Sequence, residues 1–502
     1  MRGLLLLSAG LTAACLAERG PFTNRMAQSG TSYLARAARQ PVNWQPWGRD
    51  AFALALRLDR PVLLYVGNDA CHWCAETDRA IYTDAEIGSL INELFVPVRV
   101  DRDERPDVAQ RYQAAVERLA GLHGWPLTVF LMPDGSPFFG GTYFPADDPI
   151  TGRGLKQLLP EIAKRYREQR PFIAQQAAVV RQFMLTSEGE SRGVLRAGLV
   201  RDGVASVKRD LDAAVQSGMT GNSVVHVEAA SLLLTEYARS RDTLALAVAR
   251  RALDLMLDTA NTAAGDDAPR LVRAALAGAL AKGWVVTGDA RYRESGHALL
   301  DTLAGVLATR EVFADQQAFM IENTMLAAAT LDQAAVEKAA RSALDVLLQR
   351  AYAKGWGVRH MMTEGGATGL LQDQVQVASA CLAAHQLTGD KRYLEIAVDL
   401  AAILESRYAD SMGGYYDAVE SPAQPSSPTV LGDRTKHVLD DGLPGANAAA
   451  ARFLAHLSAV TQDAVYRRRA QATLEAFAGT IPGAGLRAAT FLAAARETLG
   501  TP

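Results

Sequence analysis

The stretch Pro61-Val62-Leu63-Leu64-Tyr65-Val66, followed by Cys71-His72-Trp73-Cys74 and then Ala75 to Arg79, decides how this 502-residue chain is read. The first six residues are apolar and rich in β-branched side chains, which predicts a buried strand, and the residues from Ala75 onward read as helix. A cysteine at a helix N-terminus faces unpaired backbone N–H groups and the positive end of the helix dipole, both of which favour thiolate over thiol. Cys74, three residues on, is close enough to attack a mixed disulfide formed at Cys71. The spacing therefore makes Cys71 the nucleophile and Cys74 the resolving thiol.

Working outward, Asp50 to Leu58 reads as a helix leading into the first strand. Before it, residues 21–48, with Asn24-Arg25, Ser32-Tyr33-Leu34 and Gln40-Pro41-Val42-Asn43-Trp44-Gln45-Pro46-Trp47, read as an ordered, packed segment without regular structure, because the tryptophans need a core and the prolines disfavour a helix interior. Downstream, Thr83 and Glu86 fit a capping box for a helix with Ile87, Leu90 and Ile91 at helical spacing. Phe95 to Val100 is a second strand, and Asp101-Arg102-Asp103-Glu104-Arg105-Pro106-Asp107 reads as a charged, solvated loop entering a helix from Val108 to Leu119. His123 to Leu131 supplies a third strand introduced by a proline, Met132 to Pro137 a turn, and Phe138 to Pro145 a closing strand and its exit. Strands alternating with helices and ending in a hairpin predict an α/β domain with a mixed central sheet over residues 21–153.

Dithiol redox chemistry and metal binding both use thiolates. A closed zinc site needs four ligands, and Cys71, Cys74, His72 and His123 do not make a convincing set, so no metal and no cofactor is expected. His72 as imidazolium would lower the Cys71 pKa, and Asp69 would oppose it. Trp73 is read either as an exposed contact for an extended substrate or as a shield packed on Trp125.

These pieces resemble a known family. The order strand, Cys-x-x-Cys helix, strand, helix, proline, strand, turn, strand is similar to thioredoxin. QPVNWQPW, CHWC, VDRDERPD from Val100, GWPLTVFLMPDG from Gly124 and FFGGTYFP from Phe138 look like the thioredoxin-like domain of the spermatogenesis-associated protein 20 (DUF255) family. The chain departs from that pattern at Gln40, at Asn43 and at Ala75, where a second histidine usually follows the cysteines. The resemblance implies that Pro126 is held cis facing the dithiol, presenting the backbone of Trp125 to a substrate. Thioredoxins carry a buried acid that assists proton transfer at the strand position where this chain has Tyr65, and a tyrosine does not readily replace it near neutral pH.

After a helical connector over residues 154–190, residues 191–502 read as helix after helix, rich in Ala and Leu. Thr287-Gly288-Asp289-Ala290-Arg291-Tyr292 recurs as Thr388-Gly389-Asp390-Lys391-Arg392-Tyr393 and, weaker, as Thr461-Gln462-Asp463-Ala464-Val465-Tyr466, with Ser240-Arg241-Asp242 in a fourth similar place. Each marks a helix–turn–helix unit whose apolar faces need neighbours. This half resembles the (α/α)6 toroid found in the same family and in six-hairpin glycosidases. Loops at one end of such a toroid would line a cavity, with Trp356, His360, Asp373 and Asn447 as substrate-binding candidates and Asp315, Gln316, Glu322, Asp417, Asp440 and Asp441 beside them. Paired carboxylates there would suit acid/base chemistry on a carbohydrate. The plain alternative is that these residues cap helices and that Trp356 plugs the ring.

Charge and composition narrow the partners. With 52 basic against 55 acidic residues, no global positive field calls for nucleic acid. Residues 1–20 carry Arg2, Leu4 to Leu7 and small residues before Cys15, which fits an export signal better than a membrane span; Thr12-Ala13-Ala14-Cys15 also resembles a lipobox that would make Cys15 a lipid anchor. The expected protein is exported, periplasmic or extracellular. Its leading reading is a thiol–disulfide oxidoreductase acting on a disulfide-bearing protein or small thiol and served by an electron-donor protein. The rivals are a carbohydrate-active isomerase or hydrolase in the toroid and a noncatalytic interaction protein.

Overall fold

A computed structural model describes residues 22–186, 191–218, 223–262, 270–307, 313–362, 369–419 and 433–500. The expected export segment with Cys15, the boundary residues 187–190 and the loop at 423–428 lie outside the described residues.

The first domain is a five-stranded sheet in the order β1-β3-β2-β4-β5. β1 is Gln45–Pro46, β2 Val62–Gly67, β3 Val96–Asp101, β4 Leu127–Leu131 and β5 Pro137–Gly141. β3 runs parallel to β1 and β2, whereas β4 is antiparallel to β2 and β5, so the sheet is mixed as expected. Every residue of β2 is buried, because both faces are covered. Val62, Leu64 and Val66 join β3 and β4 valines and leucines under α2 (Arg49–Leu58) and α5 (Pro106–Ala120). Leu63 and Tyr65 face the other way, toward α1 (Ser32–Arg36) and α4 (Ala85–Leu94). At roughly 1.5–3 kcal/mol for each fully buried aliphatic side chain, this two-sided burial fixes the strand register.

Three local expectations change. The α4 cap is Asp84, whose Oδ1 accepts from Glu86 N at 2.8 Å and Ile87 N at 3.1 Å, while the Thr83 hydroxyl donates to Arg79 O. The shorter, charged carboxylate at the correct register takes the helix start. The segment before α2 holds α1 and β1, with Trp44 fully buried. α6 (Leu155–Glu168) and α7 (Arg170–Thr186) pack back on the sheet domain, Leu155, Leu159 and Ile162 in one face's core and Val180 and Met184 in the other's.

The second domain is a closed ring. Its inner helices are α9 (Val224–Ser240), α11 (Arg270–Thr287), α13 (Ala314–Thr330), α15 (Leu371–Thr388), α17 (Ala446–Thr461) and α19 (Ala489–Leu499), each packed on the next, with α19 returning to α9. The outer helices are α8 (Ala197–Gln216), α10 (Thr243–Thr262), α12 (Ala290–Leu307), α14 (Ala334–Ala351), α16 (Lys391–Ile403) and α18 (Ala464–Phe477). This is the all-α toroid of six hairpins. Ala, Leu and Val dominate the inner helices because helix axes crowd there, and small side chains permit close approach. Cys381 is a free, buried thiol in that core. No helix among the described residues is long and apolar enough to cross a membrane.

The repeated turns share one construction. The Thr or Ser hydroxyl accepts the Asp backbone N–H at 3.1–3.3 Å in all four places. The residue between adopts positive φ (Arg241 59°, Gly288 70°, Gly389 74°, Gln462 59°). The Asp then caps the following outer helix. All four turns sit at the C-terminal ends of inner helices, so the N-terminal ends of the ring gather at the opposite mouth. The first domain lies over that mouth: Arg111 donates to Asp433 O at 2.7 Å, Arg181 pairs with Asp433, and His360 reaches Asp103.

Candidate functional site

α3 (His72–Ala80) begins directly after Cys71, whose side chain is its N-cap and accepts from Cys74 N at 3.1 Å. The two cysteines form a disulfide with a Cα–Cα distance of 5.2 Å. Cys71 is partly exposed and Cys74 fully buried, the asymmetry that separates an attacking from a resolving sulfur. Cys74 Sγ sits over Gly67 at the end of β2: a Cβ there would lie 2.9 Å from the sulfur and 2.3 Å from the Tyr33 hydroxyl. Only glycine leaves room for both.

Gly67 is flanked on both sides. On β4, Leu127 pairs with Val66, which brings Pro126 alongside Gly67, and the Trp125–Pro126 bond is cis. Arg102 lies 5.1 Å over the Trp125 ring. On β3, Asp101 is the in-register partner of Gly67, so its side chain leaves the sheet on the face where Cys74 rests. Asp101 is 4% exposed, accepts from Asp103 N at 2.9 Å and from the Thr31 hydroxyl. Burial, reinforced by the Asp103 charge, pushes its carboxyl up to about 7.

Below the disulfide, Tyr65 donates to Cys74 O at 3.4 Å and packs between Trp44 and Tyr82. Arg99, 1% exposed, bonds both Asp78 oxygens at 2.6 Å and lies 4.2 Å over the Tyr33 ring. Gln40 joins Asp78 at 3.1 Å to Trp44 Nε1 at 2.7 Å, and Asn92 accepts from Asn43 N. Asp69 is occupied by Arg36 and Ser32. His72 is exposed against Trp73, and Trp73, 58% exposed, packs on Tyr143 rather than on Trp125. His123 pairs with Glu117.

The loop expected to be a solvated face is instead the seam between the domains. Asp101 and Asp107 are buried. Arg105 holds Asp107 through two bonds of 2.9 and 2.7 Å, and despite burial this cation keeps the Asp107 carboxyl at about 2. Asn68 donates to Asp103 Oδ2 at 2.8 Å, and Arg102 N to Gly67 O, tying the loop to the dithiol strand. From the toroid, His360 Nε2 donates to Asp103 O at 2.8 Å and its Nδ1 to Asp373 Oδ1 at 2.8 Å, with Asp315 Oδ1 3.7 Å away. Burial opposes an imidazolium there, but Asp373 and Asp315 outweigh it and hold the His360 pKa up at about 10. Asp315, His360 and Asp373 have the ligand atoms of a metal triad. Both imidazole nitrogens, however, already carry donated protons, so the group fits an ionic joint better than a cation.

The other toroid candidates do not converge. Trp356 does not plug the ring: it is 76% exposed on a short hairpin of β6 (Tyr352–Ala353) and β7 (Gly357–Val358), stacked under Arg407 at 5.3 Å. Asn447 is fully buried, accepts from Tyr415 N at 2.7 Å and donates to Tyr415 O and His437 O. Asp417 holds His437, and Asp440 accepts from Gly445 N and Thr490 N, starting α17 and α19. Asp441 lies against α5, and Asp315 accepts from Gln316 N at 2.7 Å. Of the named residues only Glu322 faces the central cavity of the ring. Asp101 was missed as a site residue because its charge sits in a run of charges; the readable clue was its place two residues after Arg99 on the same face of a strand.

Residues 23–185 match the family described as "Protein of unknown function, DUF255". Spermatogenesis-associated protein 20 of Rattus norvegicus is 41% identical over 147 residues, covering 29% of this chain and 19% of that protein, and the Homo sapiens protein is 40% identical over 147 residues with the same coverage. The match thus spans about a fifth of the curated relatives' length. Among solved structures, unsaturated glucuronyl hydrolase from Bacillus sp. GL1 is 14% identical, covering 56% of this chain and 83% of that one, with a TM-score of 0.44. The α-1,6-mannanase of Salegentibacter sp. is 14% identical, covering 41% and 60%, with a TM-score of 0.34. The similarity to the DUF255 family is thus carried by residues 23–185, about the amino-terminal third of the chain.

Proposed function

We propose that the chain is an exported thiol–disulfide oxidoreductase acting on a disulfide-bearing protein or small disulfide. The observation that carries this reading is the sulfur pair itself: Cys71 partly exposed at a helix N-terminus, bonded to a Cys74 buried over Gly67 and beside Asp101. In the dithiol form, Cys71 thiolate attacks one substrate sulfur, and the other leaves as a thiolate that takes a proton from water. Cys74 gives its proton to the Asp101 carboxylate and attacks Cys71 Sγ. The bond from Cys71 to the substrate breaks, and the second substrate sulfur departs, taking the proton back through Asp101. The substrate gains two electrons and two protons, and the Cys71–Cys74 disulfide forms. An electron-donor protein would return the pair to the dithiol by the reverse exchange.

A carboxyl poised near neutrality suits this task, since it can accept and release one proton at the working pH. It supplies on β3 the acid that Tyr65 on β2 does not. Trp125 and Pro126 offer a backbone edge beside the sulfurs, and the exposed Trp73–Tyr143 pair offers an apolar contact. Arg2 and the leucines that follow support export, to a compartment where disulfides persist.

The test equilibrates the mature protein and its Cys71→Ser and Cys74→Ser variants in graded thiol–disulfide buffers and counts alkylated thiols by intact mass. A reversible two-electron titration, with a mixed disulfide trapped in Cys74→Ser and absent in Cys71→Ser, is the expected result. A pair that stays oxidised throughout, or that resists alkylation once reduced in the folded protein, would falsify the reading.

A further inference from the structure

Along the axis of the toroid lies a cavity of about 440 Å3, within the roughly 300–1,000 Å3 range of small-molecule sites. It runs from Thr490, at the start of α19, toward Val285, 67% exposed near the end of α11. Its rim is therefore at the C-terminal ends of the inner helices, away from the first domain and the dithiol.

The walls carry charges that core packing does not explain. Glu228, Lys282, Glu322, Gln376 and Arg452 all face the cavity. Arg452 is held by Glu497 at 3.3 Å, and that carboxylate also takes His456 at 3.0 Å. Lys282 donates to the Ser231 and Thr235 hydroxyls at 2.8 and 3.2 Å. Glu228 and Glu322 make no hydrogen bond or ion pair among the described residues, and neither does the side chain of Gln376, which is 3% exposed. Buried polar groups are ordinarily bonded, and a carboxylate without a partner is costly. Here a carboxylate from α9 and one from α13 share one enclosed space with a buried amide.

Their chemistry specifies a complement. Ionised carboxylates only accept, so they call for N–H or O–H donors. Arg452 and His456 both lean on Glu497, which leaves Glu228 and Glu322 facing Lys282 across the cavity without a direct hydrogen bond of their own among the described residues. Hydroxyl donors would satisfy the oxygens, whereas a protonated amine satisfies them through stronger, charge-assisted bonds. Lys282 and Gln376 can in turn donate to hydroxyl or carboxylate oxygens. We infer that the toroid cavity binds a small polar molecule carrying a protonated amine, its N–H groups on Glu228 and Glu322 and its oxygens toward Lys282 and Gln376.

The experiment titrates the full chain by calorimetry with two matched pairs of probes, glucosamine against glucose and putrescine against 1,4-butanediol. At least one amine should bind about ten-fold or more tightly than its hydroxyl counterpart at roughly millimolar concentration. Glu228→Gln and Glu322→Gln, which keep shape and remove charge, should each abolish that preference while circular dichroism stays unchanged. Cys71→Ser should bind as the parent does, which separates this site from the dithiol reading. Failure of both amines to bind, equal binding of each pair, or an intact amine preference in both Gln variants would overturn the proposal.

Discussion

The dithiol end of the sheet and the axis of the toroid both hold buried polar side chains, but they arrange them differently. Around the sulfurs nearly every such group is bonded or stacked within a strand's length of Gly67: Arg99 with Asp78, Asn68 with Asp103, Tyr65 with Cys74. In the toroid they separate along the axis. At the mouth under the first domain, His360, Asp440 and Asn447 are bonded to neighbouring side chains and main chain, and Asp373 holds His360 through Oδ1 while its Oδ2 has no partner among the described residues. In the middle, Glu228, Glu322 and Gln376 have no such bonds. A polar group already bonded is architecture, and only a group left unsatisfied is available to a ligand. By that criterion most of the mouth holds the fold together, with a single carboxylate oxygen of Asp373 left over, and the cavity is free for binding.

The strongest way to break the comparison is His360→Ala. If the mouth is structural, this leaves Asp373 and Asp315 buried without their cation and costs about 3–5 kcal/mol, read as a loss in the denaturant midpoint. The sign with pH follows from a folded pKa raised to about 10 over an ordinary 6.5: the stabilisation is complete below about 6.5 and is lost as pH rises through 10. The variant should not show that loss. Unchanged stability would move the mouth back among the candidate ligand sites.

A smaller effect, of opposite sign, sharpens the other side. The Asp101 carboxyl is raised to about 7 in the folded chain, so its ionisation opposes folding increasingly from about pH 4 and fully above 7. Asp101→Asn keeps an acceptor for Asp103 N and removes the charge. It should stabilise the protein by on the order of 2 kcal/mol at pH 8 and by almost nothing at pH 4. The same substitution should slow resolution of the mixed disulfide. Greater stability without slower resolution would make Asp101 a strained structural residue only. Least of all, Trp356→Ala should change stability by less than about 0.5 kcal/mol and leave amine binding intact, since the ring stands outside the cavity.

What was legible in the sequence was local. The strand before CHWC, the helix after it and the Thr-Gly-Asp turns are each written within a dozen residues, and each formed as read. What was not legible depends on residues far apart. His360 meets Asp103 across 257 positions, so nothing near either one announces the seam. The acidic residues singled out near helix starts proved to be caps and braces. Glu228 and Lys282 passed unnoticed because they sit mid-helix among Val, Ala and Gly, where a charge reads as surface. The usable clue was their placement in a stripe otherwise too apolar to face water.

The joint between the domains has a consequence for how such a chain can diverge. His360 and Arg111 both donate to main-chain carbonyls, those of Asp103 and Asp433. Replacing the side chain at either acceptor leaves its carbonyl in place. Inserting or deleting one residue between Asp101 and Pro106 would carry the acceptor out of reach of the imidazolium. At Asp103 the two halves are thus matched by loop length more than by loop identity, whereas Asp433 is also held by its side chain through Arg181, and drift between Asp101 and Pro106 should accumulate as substitutions and not as gaps.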